Sequence, residues 1–128
     1  MKQILIIEDD INIRETLCDI LEIKGYDVIA ADDGQAGILK AAQYKPDLII
    51  CDIMMPKLNG YQVLDVIKTN RWLMRKPFIF LSAKSSKEEV FDGLLRGANH
   101  YITKPFTNQE LFAAIDDLSK QQALSVAA

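Results

Sequence analysis

The sequence has no long apolar run, and this absence excludes a membrane-spanning helix. Its apolar stretches are only a few residues long, far short of the ~20 that a bilayer requires. Met1–Gln3 lead directly into the first apolar stretch, which leaves no room for a signal peptide with a cleavage site. We therefore expect a cytoplasmic protein without a membrane partner.

Strong positive charge is also missing. The net charge is −3 and the sequence pI is near 5.1, and basic residues form only small groups such as Arg71, Arg75 and Lys76. A nucleic-acid-binding domain usually carries a larger basic footprint. Direct binding of nucleic acid by this segment is therefore not expected.

Cysteine and histidine are scarce. Cys18 falls within an apolar helical pattern and Cys51 within an apolar strand, a placement that favours free buried thiols over a disulfide or a metal site. His100 is the sole histidine, and no role is assigned to it.

The length and composition that remain are those of one ordinary globular domain. The chain has 128 residues, of which 49% are hydrophobic and 26% charged, within the usual range of a single domain. We expect the domain to cover residues 1–120. Residues 121–128 have no cap and are expected to extend the last helix or to fray.

Short strand patterns alternate with helical patterns along the chain. Three of the strands are apolar runs, whereas 27–31 is weaker and 100–103 is short and partly polar. The predicted strands are 4–7, 27–31, 48–51, 78–81 and 100–103. The predicted helical segments are 13–21, 34–44, 60–69, 86–97 and 107–118.

Turn and capping signals separate these segments. Asp32 or Asp33 can cap the second helix, and capping boxes open the fourth and fifth helices at Ser86 and Thr107. The fourth helix is expected to point Val90 and Leu94 towards the core.

Five βα units without an internal repeat indicate an α/β fold. The expected architecture is a doubly wound five-stranded parallel sheet of order 2-1-3-4-5, the flavodoxin-like (βα)5 arrangement. Because right-handed crossovers direct all parallel strands the same way, their carboxyl ends meet at one edge. Glu8, Asp9, Asp52, Ser82 and Lys104 should lie there, with Asp9 and Asp52 converging because the first and third strands are neighbours.

This set of side chains suggests a reaction. Crowded carboxylates repel each other unless a cation lies among them, and Mg²⁺ prefers carboxylate, water and phosphate oxygens. Lys104 adds a compact positive charge, and Lys104–Pro105 is a candidate cis peptide bond. With the Ser82 hydroxyl, the group describes a site for phosphoryl transfer onto a carboxylate.

The motifs around these residues carry a family resemblance. Glu8 and Asp9 stand in Ile-Ile-Glu-Asp-Asp, Asp52 in Cys-Asp-Ile-Met-Met-Pro, Ser82 in Leu-Ser-Ala-Lys and Lys104 in Ile-Thr-Lys-Pro-Phe. Their order and spacing from residue 4 to about residue 118 resemble the receiver domain of response regulators in two-component signalling, a chemotaxis-type receiver fold.

The resemblance implies a role for each site residue. Asp52 would be the phosphoacceptor, with Lys104 and Ser82 assisting and Ser82 and Tyr101 acting as the switch. Mg²⁺, for which Mn²⁺ can substitute, would be held by Asp9, Asp52 and the backbone carbonyl of Met54, with Glu8 contributing through water.

The implied function is phosphorylation-activated signalling rather than dedicated enzymatic catalysis. A sensor histidine kinase or phosphotransfer protein in a phosphorelay would donate the phosphoryl group. The surface of the fourth helix, fifth strand and fifth helix would then switch and act on an effector protein or a fused output domain. The resemblance also implies phosphorylation-dependent dimerisation through this surface, although the last helix lacks the arginines typical of the winged-helix subfamily.

Three alternatives stay open at this stage. A receiver-like interaction module that never gains phosphate has the same fold, as does a flavodoxin-type electron carrier. The three acids after the first strand oppose a flavin phosphate. An aspartate-nucleophile phosphatase of the haloacid-dehalogenase kind would need a second acid at Met54.

Overall fold

A computed structural model describes residues 1–127, with side-chain surroundings through Gln122. Strands and helices alternate along the whole described chain. The strands are β1 (Gln3–Ile7), β2 (Asp27–Ala31), β3 (Leu48–Cys51), β4 (Phe78–Ser82) and β5 (His100–Thr103). The helices are α1 (Ile11–Ile23), α2 (Gly34–Tyr44), α3 (Gly60–Lys68), α4 (Lys87–Leu95) and α5 (Asn108–Ala127).

The five strands form one parallel sheet of order β2-β1-β3-β4-β5, which confirms the predicted fold class. In the register of the central strands, Ile7 lies beside Cys51 and Cys51 beside Phe80. Ser82 at the end of β4 pairs with Thr103 at the end of β5. β1 and β3 therefore end level with each other, and β4 and β5 end together two residues further along the same edge.

Alternate residues of each strand enter two separate cores because successive side chains point to opposite faces. Leu5, Ile49 and Phe78 pack with buried residues of α2 and α3. Ile4, Ile50 and Ile79 pack on the other face with residues of α1 and α5. The central strands are buried on both faces, as their unbroken apolar runs predict.

Side-chain caps fix where the helices begin. Asp33 caps α2 through the Ala36 N–H, and Ser86 accepts from the Glu89 N–H at the start of α4, both as predicted. A complete capping box joins Asn59 to Gln62 at the start of α3. Sequence reading overlooked this box, although asparagine followed three residues later by glutamine fits the pattern.

Helix α4 corrects one predicted contact. Leu94 is 40% exposed, so the expectation that it faces the core is wrong, while Val90 is half-buried. Gly93 is the buried residue of the helix. A Cβ atom there would lie 2.8 Å from the Tyr101 ring, so the missing side chain lets α4 approach β5 closely.

The remaining sequence expectations concern cysteines, membranes and the tail. Cys51 is buried, Cys18 is half-buried, and both thiols are free. Within residues 1–127, no helix is both long and apolar enough to cross a bilayer. Helix α5 continues to Ala127, and residue 128 of the predicted tail lies outside the described residues.

Asp47 ties the amino-terminal ends of β1 and β3 together. Its Oδ2 accepts hydrogen bonds from the N–H groups of Lys2 at 3.0 Å and Gln3 at 2.9 Å, and Lys76 lies 3.8 Å from Oδ1. Partial burial raises the pKa of Asp47, but these hydrogen bonds and the charge of Lys76 outweigh it and bring the pKa below its ordinary value.

Replacing Asp47 with alanine should lower the free energy of unfolding by about 1–2 kcal/mol, because two backbone donors lose their acceptor. Because the folded-state pKa is lowered, this stabilisation is fully present above the ordinary aspartate pKa and is lost as the pH falls through the lowered value. Urea unfolding of wild-type and Asp47→Ala protein, followed from neutral into acidic pH, measures the difference. Asp19→Ala, an exposed site on α1, is the control; a gap between wild type and Asp47→Ala that persists unchanged into acid would contradict the assignment.

Candidate functional site

The predicted site residues lie at the carboxyl-terminal edge of the sheet because of where their strands end. Glu8 follows the last residue of β1, Asp52 follows β3, Ser82 ends β4 and Lys104 follows β5. The parallel register brings these four chain positions to the same edge, with Glu8 beside Asp52 and with Ser82 and Lys104 one and two residues further along. The sheet itself therefore assembles the site from residues far apart in sequence.

Three carboxylates meet at this edge. Ligand atoms of Glu8, Asp9 and Asp52 all lie within 4.8 Å of one another, which confirms the predicted convergence of Asp9 and Asp52. Glu8 is 1% exposed and Asp52 6% exposed, whereas Asp9 is open to solvent. Closely spaced acids of this kind form an oxygen-rich site suited to a hard divalent cation.

Lys104 supplies the positive charge of the site. Its Nζ lies 2.6 Å from Glu8 Oε1 and 3.4 Å from Asp52 Oδ2, and the Lys104 side chain is mostly buried. The Lys104–Pro105 peptide bond is cis, as predicted. One ammonium thus contacts two buried carboxylates that would otherwise repel each other.

Burial sets the protonation behaviour of this pair. It raises the pKa of the Glu8 carboxyl to about 7, the Lys104 hydrogen bond opposes the shift, and the charge of Asp52 increases it. Burial alone would lower the pKa of Lys104, but its contacts with Glu8 and Asp52 outweigh that effect and raise it. Lys104 therefore remains cationic at neutral pH.

Asp52 is held by the loop that follows it. The Met54 N–H donates to Asp52 Oδ1 at 3.3 Å, and the Met54 side chain is exposed. Gly60 at the start of α3 packs directly against the backbone of Asp52 and Ile53, and its N–H donates to the Ile53 carbonyl at 2.8 Å. A side chain at Gly60 would collide with this backbone, so the glycine is needed for close approach.

Ser82 and Tyr101 both contact the loop between β4 and α4. The buried Ser82 Oγ accepts from the Lys84 N–H at 3.2 Å, and the Tyr101 hydroxyl donates to the Lys84 carbonyl at 2.7 Å. The Tyr101 ring packs edge-on against Phe80. Tyr101 is half-buried, and this burial raises the pKa of its hydroxyl.

Two contributors to the site were missed in the sequence. Arg14 Nη1 donates to the Glu8 carbonyl at 2.9 Å and ties α1 to the acidic loop. Gly93 provides the space for the Tyr101 ring. No local pattern marks either contact, because both depend on how a helix packs on the sheet.

Comparison with known proteins places this geometry in a family. The profile described as response regulator receiver domain matches residues 4–116. The protein PilG of Pseudomonas aeruginosa is 40% identical over 113 residues, which cover 88% of this chain and 84% of PilG. The transcriptional regulatory protein PhoP for alkaline phosphatase synthesis in Bacillus subtilis is 36% identical over 97% of this chain.

Coverage differs among the relatives. This chain spans 84% of PilG but only 51% of PhoP, and it spans about half the length of several other similar transcriptional regulators.

Solved structures show the same fold. The chemotaxis response regulator CheY4 of Vibrio cholerae superposes with a TM-score of 0.87 at 28% identity, covering 92% of this chain and 98% of CheY4. A receiver domain from Clostridium thermocellum gives a TM-score of 0.88 at 28% identity, covering 97% of this chain and 98% of that one. The family profile, the relatives and the acidic edge of the sheet agree, and the chain belongs to the response regulator receiver domain family, whose members are signalling phosphoacceptors rather than dedicated enzymes.

Proposed function

We propose that Asp52 accepts a phosphoryl group from a phosphohistidine on a sensor histidine kinase or phosphotransfer protein. The observation that supports this most strongly is the meeting of buried Asp52 with Lys104, Glu8 and Asp9 at one edge of the sheet. A receiver domain has a histidine kinase as its partner, so the donor class follows from the family. Small phosphodonors such as acetyl phosphate would serve the same acceptor.

The transfer requires little more than positioning and charge neutralisation. A carboxylate oxygen of Asp52 forms the new bond to phosphorus as the phosphorus–nitrogen bond of the donor breaks. The electron pair of that bond stays on the imidazole nitrogen. Lys104 Nζ, already 3.4 Å from Asp52 Oδ2, is placed to pair with a phosphoryl oxygen as its negative charge approaches.

Magnesium fits the acidic site. Octahedral Mg²⁺ takes oxygen ligands and commonly uses one or two carboxylates, and Asp9 and Asp52 provide two within a cluster spanning at most 4.8 Å. We assign the remaining protein contacts to the Met54 carbonyl directly and to Glu8 through water; Mn²⁺ can substitute. When bound, the ion would neutralise charge on the phosphoryl oxygens.

The switch is proposed to use the loop residue Lys84. A phosphoryl group on Asp52 adds oxygens that can accept a hydrogen bond from the Ser82 hydroxyl. Ser82 already contacts the Lys84 N–H, and Tyr101 contacts the Lys84 carbonyl. A movement of Ser82 towards the phosphoryl group would therefore be transmitted through this residue to Tyr101, which would follow into the space that the loop vacates.

The output surface is proposed to consist of α4, β5 and α5. Three large apolar side chains of α4 are exposed there: Phe91, Leu94 and Leu95. The Tyr101 ring packs against Phe80 in the core and against Gly93 of α4. An effector protein, a fused output domain or a second copy of the chain would bind here. The fused domain is supported by the relatives of which this chain spans about half.

Replacing Asp52 with asparagine should abolish phosphorylation. Wild-type protein incubated with Mg²⁺ and acetyl phosphate is expected to gain one phosphoryl group by intact mass, and removal of Mg²⁺ by EDTA should prevent the gain. Asp65→Asn, an exposed site on α3, is the matched control and should behave as wild type. A wild-type protein that stays unmodified while a control receiver is labelled would refute the proposed function.

Replacing Lys104 with methionine should lower the free energy of unfolding by roughly 2–4 kcal/mol, because Glu8 and Asp52 lose the cation that compensates their burial. The double variant Glu8→Gln/Lys104→Met should recover most of this loss. Urea denaturation measures both effects, and Lys87→Met on the exposed face of α4 is the control. A double variant as unstable as the single one would show that Lys104 acts by packing alone.

Replacing Tyr101 with alanine should leave the acceptance of a phosphoryl group by Asp52 intact but weaken the resulting change at the proposed output surface. Nuclear magnetic resonance shifts caused by beryllofluoride should persist near Asp52 and Ser82, but shrink on α4 and α5, because the ring no longer links the loop to that surface. Tyr101→Phe keeps the ring and loses only the bond to the Lys84 carbonyl, so it isolates the hydroxyl. If the beryllofluoride-induced shifts decreased equally near Asp52 and on α4 and α5, the proposed switch role of Tyr101 would be contradicted.

A further inference from the structure

A group of exposed aromatic and basic side chains lies at the other edge of the sheet, away from Asp52. The segment 69–77 joins α3 to β4 and precedes Phe78, whereas the acidic site follows the carboxyl ends of the strands. Trp72, the only tryptophan of the chain, lies in this segment and is 63% exposed. We call the group formed by Lys45, Arg71, Trp72, Met74 and Arg75 the Trp72 surface.

Two cations flank the indole ring. Lys45 Nζ lies 5.3 Å from the ring centroid and the Arg71 guanidinium carbon lies 5.6 Å from it. Both side chains are exposed, so their charges face solvent while the ring retains most of its accessible area. The exposed Met74 side chain adds flexible apolar area nearby. Trp, Arg and Met are among the residue types enriched in protein interfaces.

The backbone beneath Trp72 is ordered by its own hydrogen bonds. The Trp72 N–H donates to Asn70 Oδ1 at 2.8 Å, and the Leu73 and Met74 N–H groups donate to the Asn70 carbonyl at 3.0 and 2.8 Å. Leu73 is buried in the core. The surface is therefore preformed, which reduces the entropy that a partner would have to offset on binding.

The local charge is opposite to that of the whole chain. Residues 68–76 carry four basic side chains and no acidic one, and Lys45 adds a fifth, whereas the net charge of the protein is −3. Of these basic groups, the Lys76 Nζ lies 3.8 Å from Asp47 Oδ1 and is therefore already paired. Lys45 and Arg71 remain beside the ring, with Arg75 in the same turn.

These features favour one class of partner. Nucleic acid and anionic membranes are bound through extended positive fields, which a chain of net charge −3 opposes beyond this small surface. A short segment of a protein, in contrast, needs complementary charge only over the small area that it contacts. We propose that the Trp72 surface binds an acidic segment of a partner protein, with an apolar side chain packed on the indole and flanking carboxylates paired with Lys45 and Arg71.

Fluorescence anisotropy of labelled peptides tests the proposal on the full chain without a phosphodonor. The probe is a short peptide with a Leu-Phe pair flanked by glutamates, and the comparison peptide carries lysines in place of the glutamates. The acidic peptide should bind, more weakly as salt is added, and the lysine peptide should not. Trp72→Ala and Arg71→Glu should each weaken binding at least about tenfold.

Lys87→Glu is the matched control for Arg71→Glu, because it makes the same charge change at an exposed site on α4. This variant should bind the acidic peptide within about twofold of wild type, since exposed charges beyond a Debye length are screened. Asp52→Asn should also bind normally, which separates this inference from the proposed phosphorylation. Equal weakening by Arg71→Glu and Lys87→Glu would reduce the effect to net charge and overturn the proposal. Binding of phosphatidylserine vesicles or oligothymidine in place of the acidic peptide would overturn it as well.

Discussion

The contact of one ammonium group with two buried carboxylates is the interaction on which the site depends. Lys104 reaches Glu8 at 2.6 Å and Asp52 at 3.4 Å. Without that cation, two nearly inaccessible acids would face each other in a region of low dielectric, where repulsion is strong. The sheet order makes the contact possible, since β1, β3 and β5 all end at the same edge. The ammonium group of Lys104 thus stabilises the two carboxylates that the sheet brings together at this site.

The same edge is mechanically linked to the outer face of α4. Ser82 and Tyr101 contact opposite backbone groups of Lys84, and Tyr101 reaches this position only because Gly93 has no side chain to block its ring. The loop residue therefore joins the neighbourhood of Asp52 to a surface with exposed apolar side chains. The proposed signal can therefore pass from the neighbourhood of Asp52 to α4 through two hydrogen bonds to Lys84 and the packing of the Tyr101 ring.

The two ends of the sheet use charge in different ways. At the carboxyl end, carboxylates and lysine are buried, so each charge needs a close partner. At the amino end, Lys45 and Arg71 flank an exposed indole in solvent, where they remain hydrated and available to carboxylates of a partner. Buried residues of the parallel strands separate these regions. A receiver domain of this size therefore has room for the proposed second binding surface without altering the proposed phosphoacceptor site.

Local sequence patterns predict the strands and helices, the parallel fold class and the edge at which Glu8, Asp52, Ser82 and Lys104 lie. These follow from apolar periodicity, caps and strand ends, which are properties of neighbouring residues. The folded chain is needed to show that Lys104 pairs with Glu8 most closely, that Gly93 rather than Leu94 faces the sheet, and that Lys45 lies over Trp72. Those contacts join residues distant in sequence, and their distances depend on how the helices pack against the sheet, which no local pattern encodes.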